Sequence, residues 1–564
     1  MNKKLIASIY LALIFIGSLF LVFEKSGVIY PGLISICVYA VLFGVLFTVT
    51  ARWVFSAIIT STLFIIIKIF NQLKVHYYKE QLFFTDINLM TDTSNLGTLG
   101  HYWLAGVAVL GLFILLIING VISWRLSTPC KRWISRVVSV LMVIVGYFGA
   151  DWASAHYFDK WSQTLPKGRG TVTNLVMSAQ NAKYKSPHFV GDASYFEQKA
   201  ANVSLANTVS LANTVSLANN EQAEKPDILL LLQESTVDPK VYDLPAGTKL
   251  PELFMFQQDA NMTAHSPMRV QTFGGGTWLS EFSALTGLNS DDFGAQKSGV
   301  FYFVVDHLNN SLFKEMKANG YYTVVLTPFN KGAYHSGHAY ETLGVDRIIQ
   351  PQELGYPGKL QDNLWTISTE DMLKYVKEIL ATETDKPVFI FALTMYEHGP
   401  YKESHSDDYG IKDKLDNKDS AGEFSHYMEK IVHSDDAIRD FVSFMEKRHR
   451  PMMFLYFGDH QPGISLDKYK STLSSPAYAT QFTLRDNLKA GTAIKTGELT
   501  DISFLGGMLL ERANLKVSPF YEANIKMRHL CDGKLNDCED KQLLDGYRHY
   551  VYHVLGVANK DETK

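Results

Sequence analysis

Four cysteines in 564 residues are too few for a disulfide scaffold, and nothing in their spacing resembles a cysteine zinc site. An excess of charge of one sign is equally lacking: the formal net charge is only −4, which argues against nucleic acid as the main partner. Long apolar runs are missing from the last two thirds of the chain. The hydrophobic content of 47% is ordinary as an average, but almost every long run falls before Asp151. The first run also lacks a small-residue cleavage site, and four more runs follow it, so a retained bundle is the better reading than a removed signal peptide.

What is present begins with those runs. Residues 5–23, 28–50, 54–70, 104–124 and 137–150 are five candidate spans, the third and fifth short for a bilayer that needs about 20 apolar residues. Trp53, Trp103, Trp124 and Trp133 stand at run ends, where an amphipathic ring suits the headgroup layer. Lys3 and Lys4 place the N-terminus inside, and Arg52, Arg125, Lys131, Arg132 and Arg136 then also fall inside. Five crossings leave everything after Asp151 outside. Residues 71–99 read as an interfacial helix or, equally, a loop packed on the bundle. Cys37 and Cys130 lie in or behind the membrane, whereas Cys531 and Cys538 share an oxidising compartment and can pair.

The expected domains are therefore a transmembrane bundle at 1–150, a connector at 151–225 and a catalytic region at 226–564. The connector carries the tandem repeat VSLANT VSLANT VSLANN at 203–220, read as low complexity, with a short β-solenoid turn as the alternative. After Pro226 short apolar runs alternate with amphipathic segments, the pattern of α/β folds with a largely parallel sheet. Strands are predicted at 227–232, 322–326, 388–393 and 452–457, with helices at 311–319, 369–381 and 433–448.

Ligands of open α/β sheets sit beyond the carboxyl ends of the strands. The four predicted strands lead to Gln233-Glu234, to Pro328 and Asn330, to Glu397-His398-Gly399, and to Gly458-Asp459-His460. Carboxylate and imidazole without thiolate suit Zn²⁺ or Mn²⁺. Gly458 is expected to let the backbone turn tightly before Asp459-His460. The stretch Gly274-Gly-Gly-Thr-Trp-Leu-Ser-Glu-Phe282 can form an anion-binding nest that sets Thr277 at a helix N-terminus. A threonine hydroxyl is a poor nucleophile unless a base or metal ionises it, and Glu234, Asp459 and His460 could hold that metal. Taken alone, the loop reads as a glycine turn with Thr277 as an N-cap.

In this order Glu234, GGGTWLSEF with Thr277, EHGPY with His398, and FGDH with Asp459-His460 resemble one branch of the alkaline-phosphatase/sulfatase superfamily. That branch holds the lipoteichoic acid synthases and the lipopolysaccharide phosphoethanolamine transferases, and the N-terminal bundle matches it too. The resemblance implies a phospho-threonine intermediate at a Mn²⁺ or Zn²⁺ site. It matches Glu234, Thr277, Asp459 and His460 to metal ligands, Thr277 also to the nucleophile, and His398 to a substrate-phosphate contact. The chain departs from the pattern in three places. It has no C/S-x-P-x-R motif for formylglycine, the nearest echo being His265 before Ser266-Pro-Met-Arg269, so sulfate ester hydrolysis is not expected. Leu393 stands where the lipid A enzymes have a second histidine, and at most one outer disulfide is possible. Tyr334-His-Ser-Gly-His338 replaces a loop with tryptophan and arginine, making His335 and His338 candidates for phosphate contact against the commoner surface role.

His433, Asp435 and Asp436 read as a helix cap and first turn, His405 and His426 as parts of a charged insertion at 402–429, and Trp278 as packing under the nucleophile loop. The expected activity is transfer of a phospho-alcohol head group, phosphoethanolamine before phosphoglycerol, from a phospholipid donor to an envelope glycan such as lipopolysaccharide. The rivals are a metal-dependent hydrolase of the same fold and a non-catalytic lipid-binding sensor.

Overall fold

The structure is a computed structural model. It describes residues 3–22, 29–87, 103–130, 133–157, 170–180, 183–204, 224–360, 362–382, 385–401, 409–411, 418–464, 466, 469, 473, 475–489 and 491–559. The VSLANT repeat lies almost wholly outside them, as do His405 and most of residues 402–417. The chain divides into two compact units, Met1–Tyr184 with Gly294–Gly299, and Lys185–Phe293 with Val300–Lys564.

In the first unit the apolar runs are helices, Lys3–Val22, Ile29–Thr50, Trp53–Tyr78, Trp103–Leu126 and Trp133–Tyr157. Five spans are expected from the sequence; among the described residues four helical stretches are long and apolar enough to cross a membrane: Gly32–Thr50, Trp53–Tyr78, Gly106–Leu126 and Trp133–Ala155. In the first helix, Lys3–Val22, the apolar stretch among the described residues is Lys4–Ser18, shorter than the about 20 residues that a span needs. The two runs that look short in sequence gain length from flanks that continue the helix, through Lys68 to Tyr78 in one and back to Trp133 in the other. Polar side chains bind these helices together. Tyr10 donates to Asn119 Oδ1 at 2.8 Å, Asn119 Nδ2 donates to Thr62 Oγ1 at 3.0 Å, and Ser18 donates to Ser61 at 2.8 Å. Among apolar surfaces such bonds supply the specificity that apolar packing alone lacks.

The second unit is α/β. Its sheet comprises β1 Asp227–Gln233, β2 Met262–Arg269, β3 Tyr322–Leu326, β4 Arg347–Ile349, β5 Val388–Leu393, β6 Met452–Gly458, β7 Ala479–Asp486 and β8 Thr500–Asp501, in the order β4-β3-β5-β1-β6-β7-β2-β8. The four predicted strands are its parallel centre, β3-β5-β1-β6. Their near-continuous apolar sequence follows from burial on both faces; Leu229, Leu230, Leu231 and Leu232 are all fully buried, each stabilising by about 2 kcal/mol. β7 runs antiparallel to both β6 and β2, so β2 points the same way as β6. The loop after β2, with its three glycines, therefore emerges at the same sheet edge as Glu234, Glu397 and Asp459.

Of the three predicted helices, one differs from expectation. Leu312–Ala318, capped by the Ser311 hydroxyl, and Thr369–Thr382 lie where predicted, but the third helix runs from Lys418 to Glu446. His433 and Asp435 are thus mid-helix. Asp435 does cap, though not its own helix: its carboxylate accepts the N–H groups of Phe254 and Met255, at 2.9 and 2.7 Å, at the start of the 3₁₀ turn Phe254–Phe256. Within the region read as connector, helices form at Thr171–Gln180 and Ala193–Ala201; the second buries Phe196 against Tyr547 and Tyr550. Cys531 and Cys538 are disulfide-bonded.

Candidate active site

Adjacent parallel strands bring the first two site residues together. Gln233 of β1 pairs with Gly458 of β6, so the next residue on each strand, Glu234 and Asp459, is a neighbour across the ladder. Gly458 is needed for this approach rather than for a turn: a β-carbon there would lie 1.8 Å from the Thr236 carbonyl oxygen. His460 follows, its Nε2 3.2 Å from Asp459 Oδ2 and 3.4 Å from Glu234 Oε1. Its Nδ1 lies 2.9 Å from the Gln461 carbonyl oxygen, which places a proton on Nδ1 and leaves Nε2 as the nitrogen turned to the two carboxylates.

The helix Thr277–Thr286 carries the fourth. It starts because Gly276, at φ 82°, turns the chain in the left-handed region; a β-carbon there would meet Thr272 Oγ1 at 2.8 Å. Gly276 is thus the N-cap, and Thr277 is the first helical residue rather than the cap. The helix stays in place through buried Leu279, Phe282 and Leu285 and through the Ser280 hydroxyl, which donates to the Asp459 carbonyl oxygen at 2.6 Å. The half-buried Thr277 hydroxyl donates to Glu234 Oε2 at 3.3 Å.

Glu234, Asp459 and His460 are buried, and one donor atom from each lies within 4.8 Å of the others. Burial raises the Glu234 carboxyl, an effect partly offset by His460. Burial, and then the Glu234 charge, push Asp459 up to about 7. Burial alone would lower His460, but the Asp459 and Glu234 carboxylates outweigh it and raise it. Asp459 Oδ2 and His460 Nε2 have no hydrogen-bond partner among the described residues. Buried, crowded and unsatisfied donors of this type fit a divalent cation such as Zn²⁺ or Mn²⁺.

The other candidates stand apart from this cluster. Glu397 is fully buried but takes hydroxyl donors from Thr394 and Thr369, both at 2.7 Å, and from Ser434, so it anchors the turn that carries His398. His398 bonds the Gly399 carbonyl through Nδ1 and sets its ring 4.9 Å from that of Trp365. The exposed His338 pairs with Asp306 at 2.8 Å, and His335 stacks on Tyr302 at 5.0 Å. Trp278 packs against Tyr334, with ring centres 5.8 Å apart. His265–Arg269, the echo of a formylglycine motif, is ordinary strand within β2.

Three residues escape a reading by sequence alone. Ser235 donates through its amide to Asp459 Oδ1 and through its hydroxyl to Glu234 Oε1, both at 2.8 Å. Glu281, one turn beyond Thr277, is fully buried and accepts the hydroxyls of Tyr334, at 3.0 Å, and Tyr340; burial pushes it up to about 8 despite these donors. Lys430 donates to the carbonyls of Tyr396 and His398 at 2.8 and 3.0 Å, and burial lowers it. A helix-period count from Thr277 points to Glu281; Lys430 has no local signal.

Residues 226–506 match the Sulfatase family. An uncharacterized protein of Haemophilus influenzae is 36% identical over 98% of this chain and 100% of its own length. A putative cyclic beta-1,2-glucan modification protein of Rhizobium meliloti is 26% identical over 44% of this chain and 37% of its own. Among solved structures, the integral membrane lipooligosaccharide phosphoethanolamine transferase A of Neisseria meningitidis has the same fold. It superposes with a TM-score of 0.50 at 12% identity, covering 91% of this chain and 98% of that one.

Proposed function

We propose that this chain, which belongs to the Sulfatase family, is a membrane-bound transferase moving a phospho-alcohol head group from a phospholipid to a cell-envelope glycan. Phosphoethanolamine is the head group we favour, phosphoglycerol the next. The observation that carries the reading is the Thr277 hydroxyl at a helix N-terminus, 3.3 Å from Glu234 and beside three buried metal-type donors. The apolar helices of the first unit support a multi-pass inner-membrane protein whose catalytic region, 226–564, faces outward to lipid donors and glycan acceptors. The names of the Rhizobium and Neisseria proteins, a glucan modification protein and a lipooligosaccharide transferase, agree with a glycan acceptor.

Glu234, Asp459, His460 and Thr277 would hold Mn²⁺ or Zn²⁺, which when bound lowers the pKa of the threonine hydroxyl and polarises the phosphate. Thr277 Oγ attacks the phosphorus of the donor phosphodiester. The bond to the glyceryl oxygen breaks, diacylglycerol leaves with a proton, and Thr277 carries the head-group phosphate. The N–H groups at the start of the Thr277 helix would face the phosphate oxygens, whereas the Gly274 amide is taken by the Gln461 carbonyl at 3.2 Å. A glycan hydroxyl then attacks the same phosphorus, its proton returns to Thr277 Oγ, and the phosphodiester passes to the glycan. His398 is a candidate contact for the donor phosphate, with His335 and His338 as further candidates. Mass spectrometry of lipids and envelope glycans from cells with and without the gene tests the assignment. Loss of a phosphoethanolamine or phosphoglycerol increment from one glycan is expected; identical glycan profiles would refute transfer.

A further inference from the structure

We infer that Ser235 is a positioning residue of the metal centre, holding the carboxylates of Glu234 and Asp459 in the orientation that presents them to the cation. The inference rests on the reading of Glu234, Asp459 and His460 as a metal site. It begins with a conformational oddity: Ser235 has φ 49°, in the left-handed region that favours glycine, yet it is a serine and is buried. Such a residue persists only where its surroundings over-determine it, and here every polar group of the residue is engaged. Its amide donates to Asp459 Oδ1 at 2.8 Å, its hydroxyl donates to Glu234 Oε1 at 2.8 Å, and its carbonyl accepts the Tyr427 hydroxyl at 2.9 Å. Tyr427 is itself fixed, since its oxygen accepts the Val237 N–H at 3.2 Å.

The left-handed turn lets one residue reach both ligands. An extended residue after β1 would keep its amide in the plane of the sheet and send its side chain out of that plane. The consequence is clearest at Asp459. Its Oδ1 accepts two amides, from Ser235 and from His460, each at 2.8 Å. Oδ2 is thereby left as the oxygen without a hydrogen-bond partner, 3.2 Å from His460 Nε2. At Glu234 the serine bond to Oε1 fixes the carboxylate plane while Oε2 accepts the Thr277 hydroxyl. Glycine would adopt this backbone with less strain but could not supply the hydroxyl. Outer partners of this kind commonly change metal affinity by about 10- to 100-fold when removed.

The test uses the full-length chain in detergent, stripped of metal, with Zn²⁺ affinity measured by competition with a chromophoric chelator and Tm measured without metal. Ser235→Ala is expected to weaken Zn²⁺ binding by about 10- to 100-fold while the metal-free Tm stays near wild type. Ser235→Gly, which relieves the left-handed strain, is expected to weaken binding at least as much while its metal-free Tm is unchanged or higher. Zn²⁺ affinity within twofold of wild type in both variants would overturn the role of Ser235. If wild type binds Zn²⁺ no better than Asp459→Ala, the metal-site reading itself fails, and the two failures are distinguishable.

Discussion

Replacing Glu281 by glutamine should remove one pH dependence of stability and so reverse the order of stability of variant and wild type between pH 5 and pH 8.5. Glu281 is wholly buried on the Thr277 helix, and burial raises its carboxyl from 4.5 to about 8. A raised acid contributes stability that is fully present below the unfolded value and is lost as pH rises through the folded one. Here the loss runs from about pH 4.5 to 8 at roughly 1.4 kcal/mol per pH unit and levels off near 5 kcal/mol. Glutamine does not titrate. It does leave one of the two tyrosine hydroxyls, Tyr334 or Tyr340, facing an amide N–H₂ in place of an acceptor, a fixed cost of about 1–3 kcal/mol. The variant should therefore be less stable than wild type at pH 5 and more stable by about 2–4 kcal/mol at pH 8.5. For a unit of this size, roughly 1 °C of Tm per kcal/mol gives a swing of about 5 °C between the two pH values. Thermal unfolding of the full chain followed by tryptophan fluorescence measures it. Parallel Tm–pH curves for the two proteins would refute the reasoning.

Gly458→Ala should be among the most damaging single substitutions, since a β-carbon 1.8 Å from the Thr236 carbonyl forces β1 and β6 apart beneath the site; a loss of more than about 3 kcal/mol is expected in a denaturant titration. Chelation should abolish head-group transfer, and Mn²⁺ or Zn²⁺ should restore it. Asp459→Ala and His460→Ala should each lower the metal content of the purified chain by mass spectrometry, and full occupancy in both would contradict the donor set.

How much of this was legible in the sequence depends on where each residue finds its partners. β1, β3, β5 and β6 are readable because strands buried on both faces are runs of apolar residues, and their ends lead directly to Glu234 and Asp459. β2 and β7 are not, because they bury polar side chains that are satisfied only from elsewhere. Gln481 accepts the Asp238 N–H at 2.6 Å, and Arg485 pairs with Asp259. The start of the helix Lys418–Glu446 was missed for the same reason: Asp435 looks like a local cap, and its true partners are about 180 residues earlier, at Phe254 and Met255. Thr277 was legible from its glycines. Ser235 was not, since a serine after a strand carries no mark until its backbone conformation and its bonds to Asp459 and Glu234 are seen. Composition likewise marks five apolar runs, of which four appear among the described residues as helical stretches long and apolar enough to cross a membrane.

The most direct measurement of the central claim is the mass of residue 277 itself. Full-length protein incubated with phospholipid and metal, without glycan, should gain one head-group phosphate on Thr277, located by peptide mass spectrometry, with an equivalent of diacylglycerol released. The adduct should discharge when an envelope glycan is added. Thr277→Ala should fold with an unchanged Tm and form none, while Thr277→Ser should retain part of the reaction. Release of diacylglycerol by Thr277→Ala at the wild-type rate would contradict the assignment of Thr277 as nucleophile, and steady turnover of wild type in water alone would make the protein a hydrolase instead of a transferase.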